Sequence, residues 1–204
     1  MNKVTVRVTK EWNEICASFA NQSVGTHLTE YAARGQSNRD KIVQDIIYGK
    51  CAELAVWQLL TNVGFTLEQP DFKIYHGRRK SFDADLSIKT KEGISNIHVK
   101  SCGTKSAKWN GISWNFTTYD PLVKGKYDIN NEIDFVVGCV SSPEYGNENK
   151  VHHVEVHLLC RWHDVFSLLG YPKKESLRHS KRTLYLDDVK ESGTALFSPP
   201  IISS

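Results

Sequence analysis

A long helical segment followed by a series of short strand-like runs is the feature that most constrains the fold of this chain. Apolar residues recur at near-helical spacing between Ile42 and Leu60, and Gly64 provides a stop. These signals predict a helix over residues 38–63. The strand-like runs are FKIY (72–75), FDADLSI (82–88), ISNIHVKS (94–101), ISWNFTT (112–118), IDFVVGCV (133–140) and VHHVEVHLL (151–159). Together they predict an α/β (α+β) fold, in which helices flank a mixed central sheet.

The two ends of the chain are less regular than its middle. Residues 3–8 (KVTVRV) alternate like a strand and residues 10–20 have helical character, whereas residues 21–36 carry no clear pattern. After a predicted helix at 161–169, the chain has a basic stretch, a last strand (TLYL) and a tail that we expect to be a surface arm.

The composition is that of one ordinary globular domain. The 204 residues are 40% hydrophobic and 24% charged, which suffices for one core. We expect a single domain over 1–204, divided into an N-terminal segment (1–37), a core (38–169) and a C-terminal segment (170–204). The net charge of +3 tolerates a polyanionic partner without requiring one.

The cysteines and the lack of targeting signals predict a cytoplasmic protein. The five cysteines are scattered without a CxxC pair, and their odd number leaves one unpaired in any disulfide scheme. The N-terminal residues lack a signal-peptide core, and no run approaches the roughly 20 apolar residues of a membrane span. We therefore expect reduced thiols and no membrane partner.

Two consecutive strand-like runs carry polar residues at alternate positions. Asp83 and Asp85 are two residues apart, and so are His98 and Lys100, and alternate residues of a strand share one face. If KTKEG (89–93) forms a hairpin, Asp85 comes close to His98 and Lys100. Phosphodiester hydrolysis needs a divalent cation, ligands that hold it, and a base or cation near the attacking water. Asp85 could be an oxygen ligand, Lys100 could orient water, and His98 could be a nitrogen ligand or a base. Solvated charges on a surface strand are the alternative explanation for the two aspartates.

These runs resemble the paired strands of the PD-(D/E)XK, or restriction-endonuclease-like, nucleases, in which an Asp precedes an (Asp/Glu)-x-Lys tripeptide by a similar interval. In this chain His98 stands where that family has Asp or Glu, and Ala84 stands where it has Pro. Gly49 and Glu53 resemble the Gly-x-x-x-Glu stretch on the first helix of some branches. The resemblance covers about residues 40–140.

The resemblance implies a restriction-endonuclease-like fold and a metal-dependent endonuclease acting on DNA, with Mg²⁺ or Mn²⁺ as its cofactor. The catalytic residues it implies are Asp85, His98, Lys100 and Glu53. Of these, Asp85, His98 and Glu53 would be metal ligands, joined by the backbone carbonyl of Val99, and Lys100 would position or activate water. An imidazole ligand would shift the metal preference towards Mn²⁺. Many members of the family act as homodimers, so the resemblance also allows a homodimer here.

The helical pattern gives independent reason to consider Glu53. At about 100° per residue, Glu53 shares one face of the predicted helix with Ile46, Trp57 and Leu60, so a carboxylate lies within an apolar stripe. A buried unpaired carboxylate is costly, which predicts either a cation or a lysine partner. A local salt bridge on the helix meets that requirement as well as a metal does.

Basic residues flank the predicted site on both sides along the chain. The predicted nucleic-acid-binding residues are Arg78, Arg79, Lys80, Lys105 and Lys108. Trp109 lies beside the last of them and has a ring on which a base can stack, whereas Trp114 is expected in the core.

Three other interpretations stay open. The chain could be a nuclease-like protein that lost activity and only binds nucleic acid. It could be an enzyme in which Cys102 or Cys160 is a nucleophile beside a histidine. A structural zinc site is the third interpretation, with ligands drawn from His152, His153, His157, Cys160 and His163.

Overall fold

The structure is a computed structural model that describes residues 3–33, 37–75, 84–90, 93–118, 120, 122–123 and 134–194. Several sequence predictions therefore lie outside the described residues. These are the basic residues Arg78, Arg79 and Lys80, the aspartate Asp83, and the tail beyond 194.

Two long helices, α1 (Lys10–Ala33) and α2 (Arg39–Asn62), pack along one another. Thr9 caps α1 by accepting a hydrogen bond from the Trp12 N–H at 3.2 Å, and Asn38 caps α2 in the same way. The helix predicted at 38–63 is confirmed, whereas α1 extends well beyond residue 20. Among the helices that the structure describes, none has an apolar stretch long enough to cross a membrane.

A five-stranded mixed sheet packs against these helices, as the fold prediction requires. Its strands are β1 (Val4–Arg7), β2 (Leu86–Thr90), β3 (Gly93–Gly103), β5 (Asp134–Glu144) and β6 (Asn147–Arg161), in the order β1-β6-β5-β3-β2. β3 and β5 are parallel, and the other neighbouring strands are antiparallel. The predicted hairpin between β2 and β3 is confirmed by their register, which runs from Leu86 with Ile97 to Thr90 with Gly93.

A smaller unit covers the other face of the sheet. Its elements are the antiparallel strands β4 (Ser113–Thr117) and β7 (Lys181–Tyr185) and the short helices α4 (Trp162–Phe166) and α5 (Leu186–Glu191). Trp114 fixes this unit to the sheet by donating a hydrogen bond from Nε1 to the Cys139 carbonyl at 2.8 Å. Gly138 permits the approach, because a Cβ there would lie 2.5 Å from the Trp114 ring.

Alternate residues of β3 and β5 belong to different cores. Ile97, Val99 and Val137 lie in the cluster that includes α1 and α2. Val136 belongs to the cluster formed with β4, β7, α4 and α5. Because His98 is paired with Val136 in the parallel register, His98 faces the smaller unit and not the long helices.

Three local predictions need correction. FKIY (72–75) forms no strand: the Asp71 carboxylate accepts hydrogen bonds from the Lys73 N–H and the Tyr75 hydroxyl, and such local bonds compete with a ladder. Asp85 precedes β2 instead of lying within it. The short helices α3 (Thr104–Asn110) and α5 were not predicted, because their few turns follow directly on strands without a periodic pattern.

Candidate active site

Asp85 lies just before β2 and bonds to the neighbouring strand. Its Oδ2 accepts a hydrogen bond from the Val99 N–H at 2.8 Å. Since Leu86 is paired with Ile97, the position of Asp85 lies opposite His98. The N–H and C=O of one strand residue point to the same side, so the Val99 carbonyl is also directed towards the side of β3 where Asp85 lies. The hairpin thus brings Asp85, His98 and Val99 together.

His98 is buried, and its surroundings act on its charge in both directions. Burial lowers the pKa of the imidazole below its ordinary value, and the Lys100 ammonium adds to the lowering. The carboxylates of Asp85, Asp134 and Asp120 raise the pKa, but they do not outweigh burial. The imidazole is therefore neutral at pH 7, which is the form that accepts a proton or binds a cation.

Lys100 lies two residues beyond His98 on β3 and shares its face. Its Nζ is 3.7 Å from Oδ2 of Asp120, and it lies 5.4 Å from the centroid of the Phe116 ring. About a quarter of the Lys100 side chain stays exposed (26%). The amine is thus held in place by a carboxylate and an aromatic face, and it remains accessible to water.

Asp134 and Asp120 belong to this group, although sequence reasoning did not select them. Asp134 is the first residue of β5, is 2% exposed and is paired with Asn96. Both of its carboxylate oxygens lack a hydrogen-bond partner within the part of the chain that the structure describes. The sequence signal that could have identified Asp134 is its place at the start of the apolar run IDFVVGCV. The strand register that brings it near His98 cannot be predicted from the local sequence.

Glu53 lies apart from this group, on helix α2. Its Oε2 accepts a hydrogen bond from Lys50 Nζ at 2.6 Å, and the same ammonium donates to the Asp71 carbonyl at 2.8 Å. Helix α2 packs in the cluster that contains Val99, on the face of the sheet opposite His98. The sequence predicted either a cation or a lysine as the partner of Glu53, and a lysine is present. A role for Glu53 in a metal site stays a prediction.

Whether a cation can bind near His98 depends on which carboxylate and imidazole side chains are available as ligands. Within the described ranges, no three or more His, Cys, Asp or Glu side chains are grouped so as to hold a metal ion. Mg²⁺ commonly takes only one or two carboxylates and completes its shell with water and substrate phosphate oxygens. Beside His98, the oxygen ligands that the described residues offer are the Asp85 carboxylate and the buried carboxylate of Asp134, whose two oxygens have no hydrogen-bond partner there.

Helix α3 begins directly after β3 and presents basic and aromatic side chains to solvent. Lys105 and Lys108 are exposed, and Trp109 is 77% exposed. Lys105 and Trp109 also line a cavity of about 300 Å³ whose other walls include Tyr48 and Gly103. The two lysines predicted to bind nucleic acid thus lie on the accessible surface of α3, and Lys105 borders a cavity shared with α2.

The histidines between residues 152 and 163 do not come together as a zinc site. His157 Nε2 lies 3.0 Å from Glu155 Oε2, and His153 Nε2 lies 3.7 Å from Oε1 of the same carboxylate. His163 is next to Asp164, at 3.6 Å. Because Cys160 is buried and no metal-binding group is found among these described residues, the arrangement gives no support to the zinc interpretation.

The thiols are poorly suited to nucleophilic chemistry. Burial raises the pKa of Cys102 to about 11 and that of Cys160 to about 12. Since the thiolate is the reactive form, both side chains stay protonated and weakly nucleophilic at neutral pH. This disfavours the cysteine-dependent enzyme.

Comparison of the chain with protein-family models, with curated proteins and with solved structures finds no match. The functional interpretation therefore depends on the site itself, formed around Asp85, His98 and Lys100.

Proposed function

We propose that this chain is a metal-dependent endonuclease that hydrolyses phosphodiester bonds in DNA. The observation that carries the proposal is the hydrogen bond from the Val99 N–H to Asp85 at 2.8 Å, which holds a carboxylate beside His98. Lys100 lies on the same face, two residues further along β3. A carboxylate, a neutral imidazole and an amine in one place match the needs of phosphodiester hydrolysis.

Each residue of the proposed active site has its own role in the reaction. Asp85 and the Val99 carbonyl would hold Mg²⁺ or Mn²⁺, with His98 as a nitrogen ligand or a base. The cation, when bound, supplies positive charge beside the phosphate oxygens. Water attacks phosphorus in line with the leaving oxygen, and the Lys100 ammonium orients that water and offsets the negative charge that develops. The neutral state of His98 suits both of its roles, because a protonated imidazole can neither bind a cation nor accept the water proton.

The surface of α3 supports a nucleic acid as the substrate. Lys105 and Lys108 would contact phosphates, and Trp109 offers an exposed ring for stacking on a base. Arg78, Arg79 and Lys80, which precede Asp85 in the chain, complete the proposed contact surface as a sequence prediction. A cytoplasmic location and a homodimer, which would place two sites on the two strands of a duplex, belong to the same proposal.

A second candidate is a nuclease-like protein that binds DNA without cutting it. The observation in its favour is that Glu53 is bound to Lys50, while His98 occupies the place where the resemblance expects a carboxylate. Such a protein would retain the basic surface of α3 and would lack turnover.

Plasmid nicking separates these two functions. Purified protein is incubated with supercoiled DNA and Mn²⁺ or Mg²⁺, and a parallel reaction contains EDTA. We expect relaxed and linear products with a cation, more with Mn²⁺, and none with EDTA. DNA binding without any cleavage under all metal conditions would contradict the endonuclease and favour the binding protein. Parallel reactions with single-stranded RNA test the choice of DNA as substrate.

A further inference from the structure

The carboxylate of Asp134 is in an energetically unusual position. The residue is 2% exposed, and neither of its carboxylate oxygens has a hydrogen-bond partner in the described part of the chain. A carboxylate removed from water is costly unless a cation or hydrogen-bond donors replace the lost hydration. Buried polar groups of native proteins are nearly always bonded, so a buried carboxylate of this kind is a candidate to bind water or a cation.

The strand register directs this carboxylate towards the proposed active site. β5 runs parallel to β3, with Asp134 paired with Asn96 and Val136 paired with His98. Asp134 therefore lies on the same face as His98, on the next strand, and neighbouring strands are about 4.8 Å apart. Asp85 approaches His98 from the opposite side, the side of β2. The imidazole thus has one carboxylate on each flank.

Three other carboxylates, two near His98 and one across the sheet on α2, have hydrogen-bond or ion-pair partners. Asp120 lies 3.7 Å from the Lys100 ammonium, Glu53 lies 2.6 Å from Lys50, and Asp85 accepts the Val99 N–H. Among the residues that the structure describes, Asp134 has no such bond. It is also the most deeply buried of these four residues.

We propose that Asp134 is a ligand of the divalent cation and supplies the carboxylate that His98 replaces in the (Asp/Glu)-x-Lys tripeptide. The ligand is a hard, oxygen-seeking cation of the Mg²⁺ and Mn²⁺ class, shared between Asp134 and the Asp85 side of the site. This inference rests on the proposed function and adds a residue from a third strand to it. Oxygen ligands from two aspartates, completed by water and phosphate, are the usual set for such cations.

The test compares Asp134→Asn with the parent protein in the absence of DNA. Without added cation, the variant should unfold at a higher temperature than the parent, because the amide removes an uncompensated buried charge. Saturating Mn²⁺ should raise the unfolding temperature of the parent and leave that of Asp134→Asn nearly unchanged. Asp164→Asn, which changes an exposed carboxylate of α4, is the matched control and should behave as the parent does.

A direct titration keeps the test decisive if the variant is less stable than expected. Mn²⁺ binding is followed by electron paramagnetic resonance at a temperature where both proteins are folded, and we expect at least a tenfold loss of affinity in Asp134→Asn. Parent-like Mn²⁺ affinity in Asp134→Asn, with affinity lost in Asp85→Asn, would overturn the role of Asp134 and leave the endonuclease standing. Failure of the parent to bind Mn²⁺ at all would overturn both proposals.

Discussion

The Asp85 carboxylate accepts a hydrogen bond from the Val99 backbone amide, at 2.8 Å, and so ties the start of β2 to the middle of β3. This bond places a negative charge beside the buried His98 imidazole at the point where the ladder between the two strands ends. One carboxylate oxygen accepts this hydrogen bond, and this restricts the orientation of the other oxygen. The side chain is therefore held in position by the protein itself.

Asp85→Asn should abolish cleavage and weaken Mn²⁺ binding while the protein stays folded. The amide oxygen can still accept the Val99 N–H, so the change removes the charge and keeps the hydrogen bond. Cleavage rates and Mn²⁺ titrations of the purified variant provide the measurement. Asp83→Asn should be milder, and the reverse ranking of the two variants would show that Asp83 is the metal ligand.

The pKa of His98, lowered by burial, predicts a loss of stability in mild acid. Below the ordinary histidine value near 6.5, the unfolded chain takes up a proton that the folded imidazole resists, so the free energy of unfolding falls as the pH drops from about 6.5 to the lowered folded pKa. Urea unfolding of the parent and of His98→Asn is compared at a series of pH values across that window. The variant should lose part of the pH dependence.

The matched control for that experiment is His152→Asn, which changes an exposed histidine of β6. We expect it to retain the pH dependence of the parent. His157 also has a pKa lowered by burial, so His98→Asn should reduce the acid sensitivity without eliminating it. Equal pH dependence in the parent and in His98→Asn would contradict the effect of burial on His98.

Glu53→Gln should destabilise the protein without changing the metal concentration that activity requires. The Glu53 to Lys50 contact is largely buried, and Gln keeps an oxygen that can accept from Lys50 but removes the negative charge that compensates the ammonium, which should cost on the order of 1–3 kcal/mol of unfolding free energy. Lys50→Met, which removes the other partner, should cost a similar amount. If Glu53→Gln keeps parental stability and needs more metal, Glu53 belongs to the metal site after all.

Trp109→Ala should weaken DNA binding while leaving the fold intact. The side chain is 77% exposed, and loss of one stacked base is worth about 1–3 kcal/mol. Fluorescence anisotropy with a labelled oligonucleotide measures the affinity. Tyr171→Ala, which removes an exposed ring elsewhere on the surface, is the control, and equal affinity of both variants and the parent would exclude stacking on Trp109.

The features that the sequence predicted well are those with a local signal. Hydrophobic periodicity predicted α2, and the turn residues between Asp85 and His98 predicted the hairpin of β2 and β3. Both depend on neighbours in the chain, and both were confirmed. The proximity of Asp85 to β3 was predicted from that hairpin.

The features that it missed depend on long-range pairing. Asp134 reaches the site through the parallel register of β3 and β5, and no local pattern specifies a register between strands that are separated by thirty residues. The side of the sheet on which Glu53 lies depends in the same way on how α2 packs, and its role in a metal site stays a prediction. FKIY was predicted as a strand because its alternation is genuine, but the Asp71 side chain binds the nearby backbone and Tyr75 instead.

The most direct test of the endonuclease is the cleavage of duplex DNA by Lys100→Met under single-turnover conditions, with DNA binding measured in parallel. The amine is held 3.7 Å from Asp120 and partly exposed, so its removal should spare the fold and the affinity. We expect the rate to fall on the order of 10²–10⁴-fold, whereas Lys150→Met, which changes an exposed lysine of β6, should cleave as the parent does. Cleavage by Lys100→Met at the parental rate would contradict the account.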